Sequence, residues 1–178
     1  YKNNNLANNE VNKACFEYAD IIDVGCESSR PGSVPLSEEV ELLRLSKFIN
    51  SNKINKNLFS IDTYKPIVAR FALENGFAII NDIKSGADNN SMLQLAAEFN
   101  CPIVLMHMEG LPNTMQNKPF YEDVIGDIMC FFEKKIKIAK SLGIKDENII
   151  LDPGIGFGKR IEDNDNIIIN LKIFKQFN

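Results

Sequence analysis

Residues 148–159 read NIILDPGIGFGK. An apolar run ends in one carboxylate, Asp152, and the chain then passes through Gly154, Gly156 and Gly158. A strand that only filled a core would stop in an ordinary turn. Glycines at this density indicate backbone that approaches something closely. Their spacing fits neither the phosphate-binding P-loop nor the dinucleotide fingerprint, so they do not identify a ligand by themselves. The other apolar runs end in the same way. Asp23 closes IID, Asp62 closes SID, Asn81 with Asp82 closes IIND, and His107 closes VLMH. A single aspartate at a strand end reads first as a cap for the following helix. Five polar ends in succession point to one shared rim.

The segments between these runs carry helical spacing. It predicts helices over residues 9–18, 37–50, 65–76, 91–100, 122–142 and 164–177. Ser37 is the expected N-cap of the second, with Glu38 and Glu39 in its first turn. Pro66 opens the third and Gly76 closes it, and Gly143 stops the long fifth helix. The strands are apolar throughout rather than alternating, which marks strands covered on both faces of a parallel sheet. Strands alternating with helices indicate βαβ units. A (β/α)8 barrel carries its active site at the carboxyl ends of its strands. A doubly wound open sheet places its ligand there too.

Composition narrows the class. The 178 residues suit one domain, 44% hydrophobic and 25% charged. A net charge of −4 gives no electrostatic footprint for nucleic acid or an anionic membrane. No apolar run approaches a transmembrane length. The chain begins at Tyr1 and shows no targeting segment, and a cytoplasmic or mitochondrial protein is expected. Cys15, Cys26, Cys101 and Cys130 are scattered and read as reduced thiols.

The strand-end groups mix Asp with Asn and His and contain no close ligand pair, which argues against a metal centre. Ionised Asp only accepts hydrogen bonds, whereas Asn donates and accepts. Together they suit a planar heterocycle with an amidine-like edge, such as a guanine or a pterin.

The segments DVGCESSRPGS, SIDTYKP, INDI, VLMHMEGLPNTMQ and LDPGIGFGK resemble, in order and spacing, the successive motifs of the dihydropteroate synthases. The resemblance runs over essentially the whole chain. It implies a (β/α)8 barrel of which residues 1–178 hold about strands two to six, without the first strand and the last two. It implies a transferase of folate biosynthesis that condenses 7,8-dihydropterin-6-ylmethyl diphosphate with 4-aminobenzoate, the reaction that sulfonamides target. Asp62, Asn81, Met106 and Asp152 would form the pterin pocket, with Ile83 near the ring. Phe157 would line the aminobenzoate side, with Lys159 just beyond, and the loop PGIGFG would run close to the bound ligand. Ser28, Ser29 and Arg30 match a loop that closes over diphosphate and aminobenzoate. Asp62, Asp152 and Arg30 are the expected catalytic groups. His107, the one histidine, is expected to be structural.

The resemblance further implies Mg2+ as a cofactor, its protein ligand lying upstream of Tyr1. It implies a homodimer in the full-length protein and possible fusion to other folate-synthesis domains. An isolated five-strand piece would be poorly stable and inactive, with two open sheet edges. Cys26 stands where the family usually has glycine, and Ser29 where it usually has threonine. Two alternatives accompany this reading: a pterin-binding methyltransferase domain, which would share the Asp/Asn pocket, and a non-catalytic pterin-binding fragment.

Overall fold

The structure is a computed structural model that describes residues 19–28, 33–52, 59–86, 89–110, 115–116 and 118–177. The helix expected over residues 9–18 lies outside the described residues. Five strands form one sheet: β1 (Ile22–Gly25), β2 (Phe59–Asp62), β3 (Ile79–Asp82), β4 (Ile103–Met106) and β5 (Ile149–Asp152). Spatial order follows chain order, and every adjacent pair is parallel. Five helices alternate with them: α1 (Glu38–Ser51), α2 (Pro66–Glu74), α3 (Ser91–Phe99), α4 (Val124–Ser141) and α5 (Ile161–Ile169). A doubly wound sheet would reverse its strand order at a switch point. The unbroken sequential order instead makes this an arc of a (β/α)8 barrel.

Side-chain alternation divides the sheet into two faces. Phe59, Ile61, Ile80, Ile103 and Leu105 are fully buried against the helices, joined by Val68, Ala69, Ala72, Leu93 and Ala139. The intervening residues face the concave side, where the interior of a closed barrel would lie. They are Asp23 and Gly25, Ser60 and Asp62, Ile79 and Asn81, Val104 and Met106, Ile150 and Asp152. A second cluster holds α4 against α5 through Val124, Ile128, Phe132, Ile167 and Phe174.

The helix ends show where local signals acted. Pro66 occupies the first turn of α2, where its missing N–H costs nothing. Asp123 caps α4 by accepting from the backbone N–H of Gly126 at 3.0 Å. Ser37 occupies the N-cap of α1 in extended conformation but makes no side-chain cap bond. The last helix begins earlier than its hydrophobic spacing suggests. The Asp163 carboxylate caps its start by accepting from the Arg160 backbone N–H at 2.9 Å and from its guanidinium at 2.8 and 2.7 Å, and residues Leu171–Phe177 continue as a 3-10 helix.

Candidate functional site

The register lines up the carboxyl ends of the strands. Gly25 pairs with Asp62 and Asp62 with Asn81, while Met106 pairs with Asp152. Asp62, Asn81, Met106 and Asp152 therefore share the concave face near one rim. All four lie at the end of a strand or one residue before it.

The five strand-end polar groups do not all converge. Asp82 follows Asn81 and so points to the helix side, where it is 1% exposed. It accepts from the backbone N–H groups of Lys84 at 2.9 Å and Gly86 at 2.6 Å, and so shapes the turn after β3. His107 also leaves the rim. Its ring packs against Tyr121 and edge-on to Phe131 at 5.1 Å, and its Nδ1 is buried without a partner. Burial, with the nearby Lys159 charge, lowers its pKa to about 4, so the imidazole is neutral at physiological pH. These contacts make His107 a structural side chain.

Electrostatics distinguish the two rim aspartates. Gly25 gives Asp62 its room, since a Cβ there would sit 3.0 Å from the Asp62 carboxylate. Burial raises the Asp62 pKa to about 7, and the charges of Asp23, Glu41, Asp82 and Glu27 add to the rise. Asp152 accepts from the backbone N–H of Gly154 at 2.7 Å, which fixes its carboxylate at the mouth of the glycine loop. Asn81 donates through Nδ2 to Asp23 at 2.9 Å. Met106 is 3% exposed, and its carbonyl accepts from the Ser85 hydroxyl at 2.8 Å. Ile83 is buried and, with Asp62, Thr63, Tyr64, Glu27 and Ser28, lines a shallow pocket beside the rim.

The glycine loop closes on the protein itself. Gly154 has φ +68°, and a Cβ there would collide with the His107 carbonyl. Gly158 has φ +61°, and its Cβ would meet the Glu109 carbonyl at 2.6 Å. The close approach that the glycines announce is thus to the backbone leaving β4. Lys159 completes this packing. Its ammonium donates to the carbonyls of His107 at 3.0 Å, Gly154 at 2.9 Å and Phe157 at 3.0 Å. Two of these carbonyls belong to the loop and the third to the backbone leaving β4, so the Lys159 ammonium fastens the loop to that backbone. Phe157 is half-buried on the same loop. Ser28 is exposed at the end of the described stretch after β1, whereas Ser29 and Arg30 lie outside the described residues.

Sequence reasoning did not single out the ion cluster beneath the rim. Glu41 is 1% exposed and accepts from Lys65 Nζ at 2.6 Å and from the Thr63 hydroxyl at 2.9 Å. Lys65 also pairs with Glu27, which accepts from the Tyr64 hydroxyl at 2.7 Å. One signal was available: Glu41 stands four residues before buried Leu45, on the apolar stripe of α1.

The pterin binding enzyme family matches residues 2–178. A dihydropteroate synthase of Clostridium beijerinckii is 46% identical over 159 residues, covering 89% of this chain and 56% of that protein. The Yersinia pestis dihydropteroate synthase, solved with a sulfonamide drug complex, superposes with a TM-score of 0.89 at 34% identity, over 98% of this chain and 64% of that one. The Anaplasma phagocytophilum dihydropteroate synthase, solved with 6-hydroxymethylpterin-monophosphate, superposes with a TM-score of 0.86 at 30% identity, over 97% of this chain and 70% of that one. The chain spans about three-fifths of the length of the curated relatives it matches.

Proposed function

This chain belongs to the pterin binding enzyme family, and from that premise we propose that the full-length protein is a dihydropteroate synthase. It would join 7,8-dihydropterin-6-ylmethyl diphosphate to 4-aminobenzoate, giving 7,8-dihydropteroate and diphosphate. The observation that carries the reading is the row of Asp62, Asn81, Met106 and Asp152 along one concave face of consecutive parallel strands. Carboxylates and one amide against an apolar sulfur side chain suit the donor-rich edge and flat face of a pterin. A ligand without that edge would leave buried polar atoms unpaired, which makes such a site selective.

In the reaction the bond from the exocyclic CH2 to the diphosphate oxygen breaks, and the arylamine nitrogen forms the new bond to that carbon. The amine then releases a proton. Positive charge develops on the pterin as diphosphate leaves, and the carboxylates of Asp62 and Asp152 would stabilise it where it forms. The pocket would otherwise act by holding pterin and amine in line. Ser28, Ser29 and Arg30 would receive diphosphate and aminobenzoate, the guanidinium of Arg30 giving paired charge-assisted hydrogen bonds. Phe157 would border the aminobenzoate.

Mg2+ belongs to the same proposal as the cofactor of the full-length protein, its protein ligand lying upstream of Tyr1. Among the described residues no group of three or more His, Cys, Asp or Glu side chains could hold a metal ion, so these residues by themselves do not form its site. A homodimer and fusion to other folate-synthesis domains belong to the same proposal.

The test is diphosphate release by the full-length protein supplied with both substrates, alongside Asp152→Asn. The wild type should turn over, and the variant should lose dihydropterin binding. Wild-type affinity in Asp152→Asn would remove Asp152 from the pocket. No diphosphate release from the wild type would refute the activity.

A further inference from the structure

Asn81 occupies the middle of the concave row, aligned with Asp62 on one side and Val104 on the other. Its Nδ2 donates to Oδ2 of Asp23 at 2.9 Å. Asp23 aligns with Ser60, and Ser60 with Ile79, so Asp23 stands one layer below Asn81 on the same face. The bond spans β2, which presents only a small hydroxyl side chain at that level. An ionised carboxylate can accept but cannot donate. It therefore selects the NH2 end of the Asn81 amide, and the planar geometry of that group points Oδ1 away from Asp23.

We propose that Asp23 is a positioning residue of the ligand site, locking the Asn81 amide with its oxygen pointing away from Asp23 so that the ligand must offer an N–H to it. This rests on the reading of the site as a pterin pocket and adds to it a group that the motif resemblance does not assign. Asp23 also acts on the other side of the row. After burial, its charge is the next cause of the raised pKa of Asp62. One carboxylate below the rim thus holds an amide in direction and adds to the burial-driven rise of its neighbour's pKa.

Asparagine at position 23 could donate or accept, and the Asn81 amide would then be free to turn over. Equilibrium binding of 6-hydroxymethyl-7,8-dihydropterin to the full-length protein reads the consequence. Asp23→Asn should weaken binding about tenfold, the worth of one hydrogen bond to a charged or oriented partner, with the KM for 4-aminobenzoate nearly unchanged. Asn81→Asp alone should bind poorly, because it sets two carboxylates against each other. The exchanged pair, Asp23→Asn with Asn81→Asp, restores a donor below and an acceptor above, and should recover affinity to within about threefold of wild type. An Asp23→Asn protein with wild-type affinity, or an exchanged pair no better than the single variants, would overturn the proposal while leaving the pterin reading intact. A wild-type protein that does not bind dihydropterin would overturn both.

Discussion

Lys65 Nζ donates to Glu41 Oε2 at 2.6 Å, and the Glu41 carboxylate is almost entirely out of solvent. The same ammonium pairs with Glu27 and donates to the Leu36 carbonyl at 2.8 Å. One cation therefore ties α1 and the stretch after β1 to the turn after β2. Burial alone would lower the Lys65 pKa, yet the hydrogen bonds to Glu27 and Glu41 leave it raised. Burial would likewise raise Glu27, but Lys65, Tyr64 and the Leu36 N–H hold it lowered.

Replacing Lys65 with methionine keeps the stem and removes the charge, so two carboxylates face each other without compensation. The loss should be about 3 kcal/mol, as for other buried pairs broken from one side. A raised lysine gives stability that is lost as pH climbs through its folded value, and a lowered glutamate gives stability that is lost as pH falls through its folded value. The penalty for Lys65→Met should therefore be flat between the ordinary values of 4.5 and 10.5 and shrink outside them. Urea midpoints across pH would show this. A penalty confined to high pH would mean that the cation stands alone.

Asp62 works in the opposite direction. Its folded pKa of about 7 lies above the ordinary value of 3.8, so folding favours the protonated acid. Stability from this group is complete below pH 3.8 and declines as pH rises through 7. Asp62→Asn, uncharged at every pH, should therefore be more stable than wild type at pH 8, by about 3 kcal/mol, and equal to it at pH 3. The same variant should lose dihydropterin affinity. A variant less stable than wild type at pH 8 would show that the carboxylate is stabilised where it stands.

Much of this architecture was legible in the chain. The five strands, their parallel sense and four of the helices follow from apolar runs separated by amphipathic ones. The rim was legible because Asp62, Asn81 and Asp152 each end or nearly end a run. Asp82 was not, since strand-end position does not say which face a side chain takes until the register is fixed. Gly154 and Gly158 were legible as close-approach positions, but a bound ligand was the expected neighbour and the partner seen in the fold was hidden. It is backbone from residues 107 and 109, far away in sequence. The cluster around Lys65 was hidden for the same reason, because it joins residues 27, 41 and 65, whose charges look like ordinary surface groups in isolation.

The glycine loop makes an ordered prediction. Gly154→Ala meets both a left-handed backbone and the His107 carbonyl, whereas Gly156, with φ +84°, has open space around its Cβ position. Gly156→Ala should cost about 1 kcal/mol, from backbone conformation alone. Gly154→Ala should cost about 3 kcal/mol or more, because its turn must shift, as for other strained positions. Since the Gly154 N–H holds the Asp152 carboxylate, the Gly154 variant should also weaken dihydropterin binding. Equal melting shifts for the two alanine variants would contradict this packing.

His107 supplies the last test. Its imidazole is wedged between Tyr121 and Phe131, with Nδ1 buried and unpartnered. Burial and the Lys159 charge hold its pKa at about 4, below the ordinary 6.5. A base whose folded pKa is lowered gives stability that is present above the unfolded value and lost as pH falls through the folded one. The wild-type protein should therefore lose stability between pH 6.5 and 4 from this residue. His107→Phe keeps an aromatic ring against Phe131 and removes the titration. The variant should be within about 1 kcal/mol of wild type at pH 7.5, as expected of a near-isosteric aromatic exchange. It should overtake wild type as the pH approaches 4. Dihydropterin turnover at neutral pH should survive, because the imidazole faces away from the concave row. A variant that folds but is inactive at pH 7.5 would return His107 to the chemistry of the site.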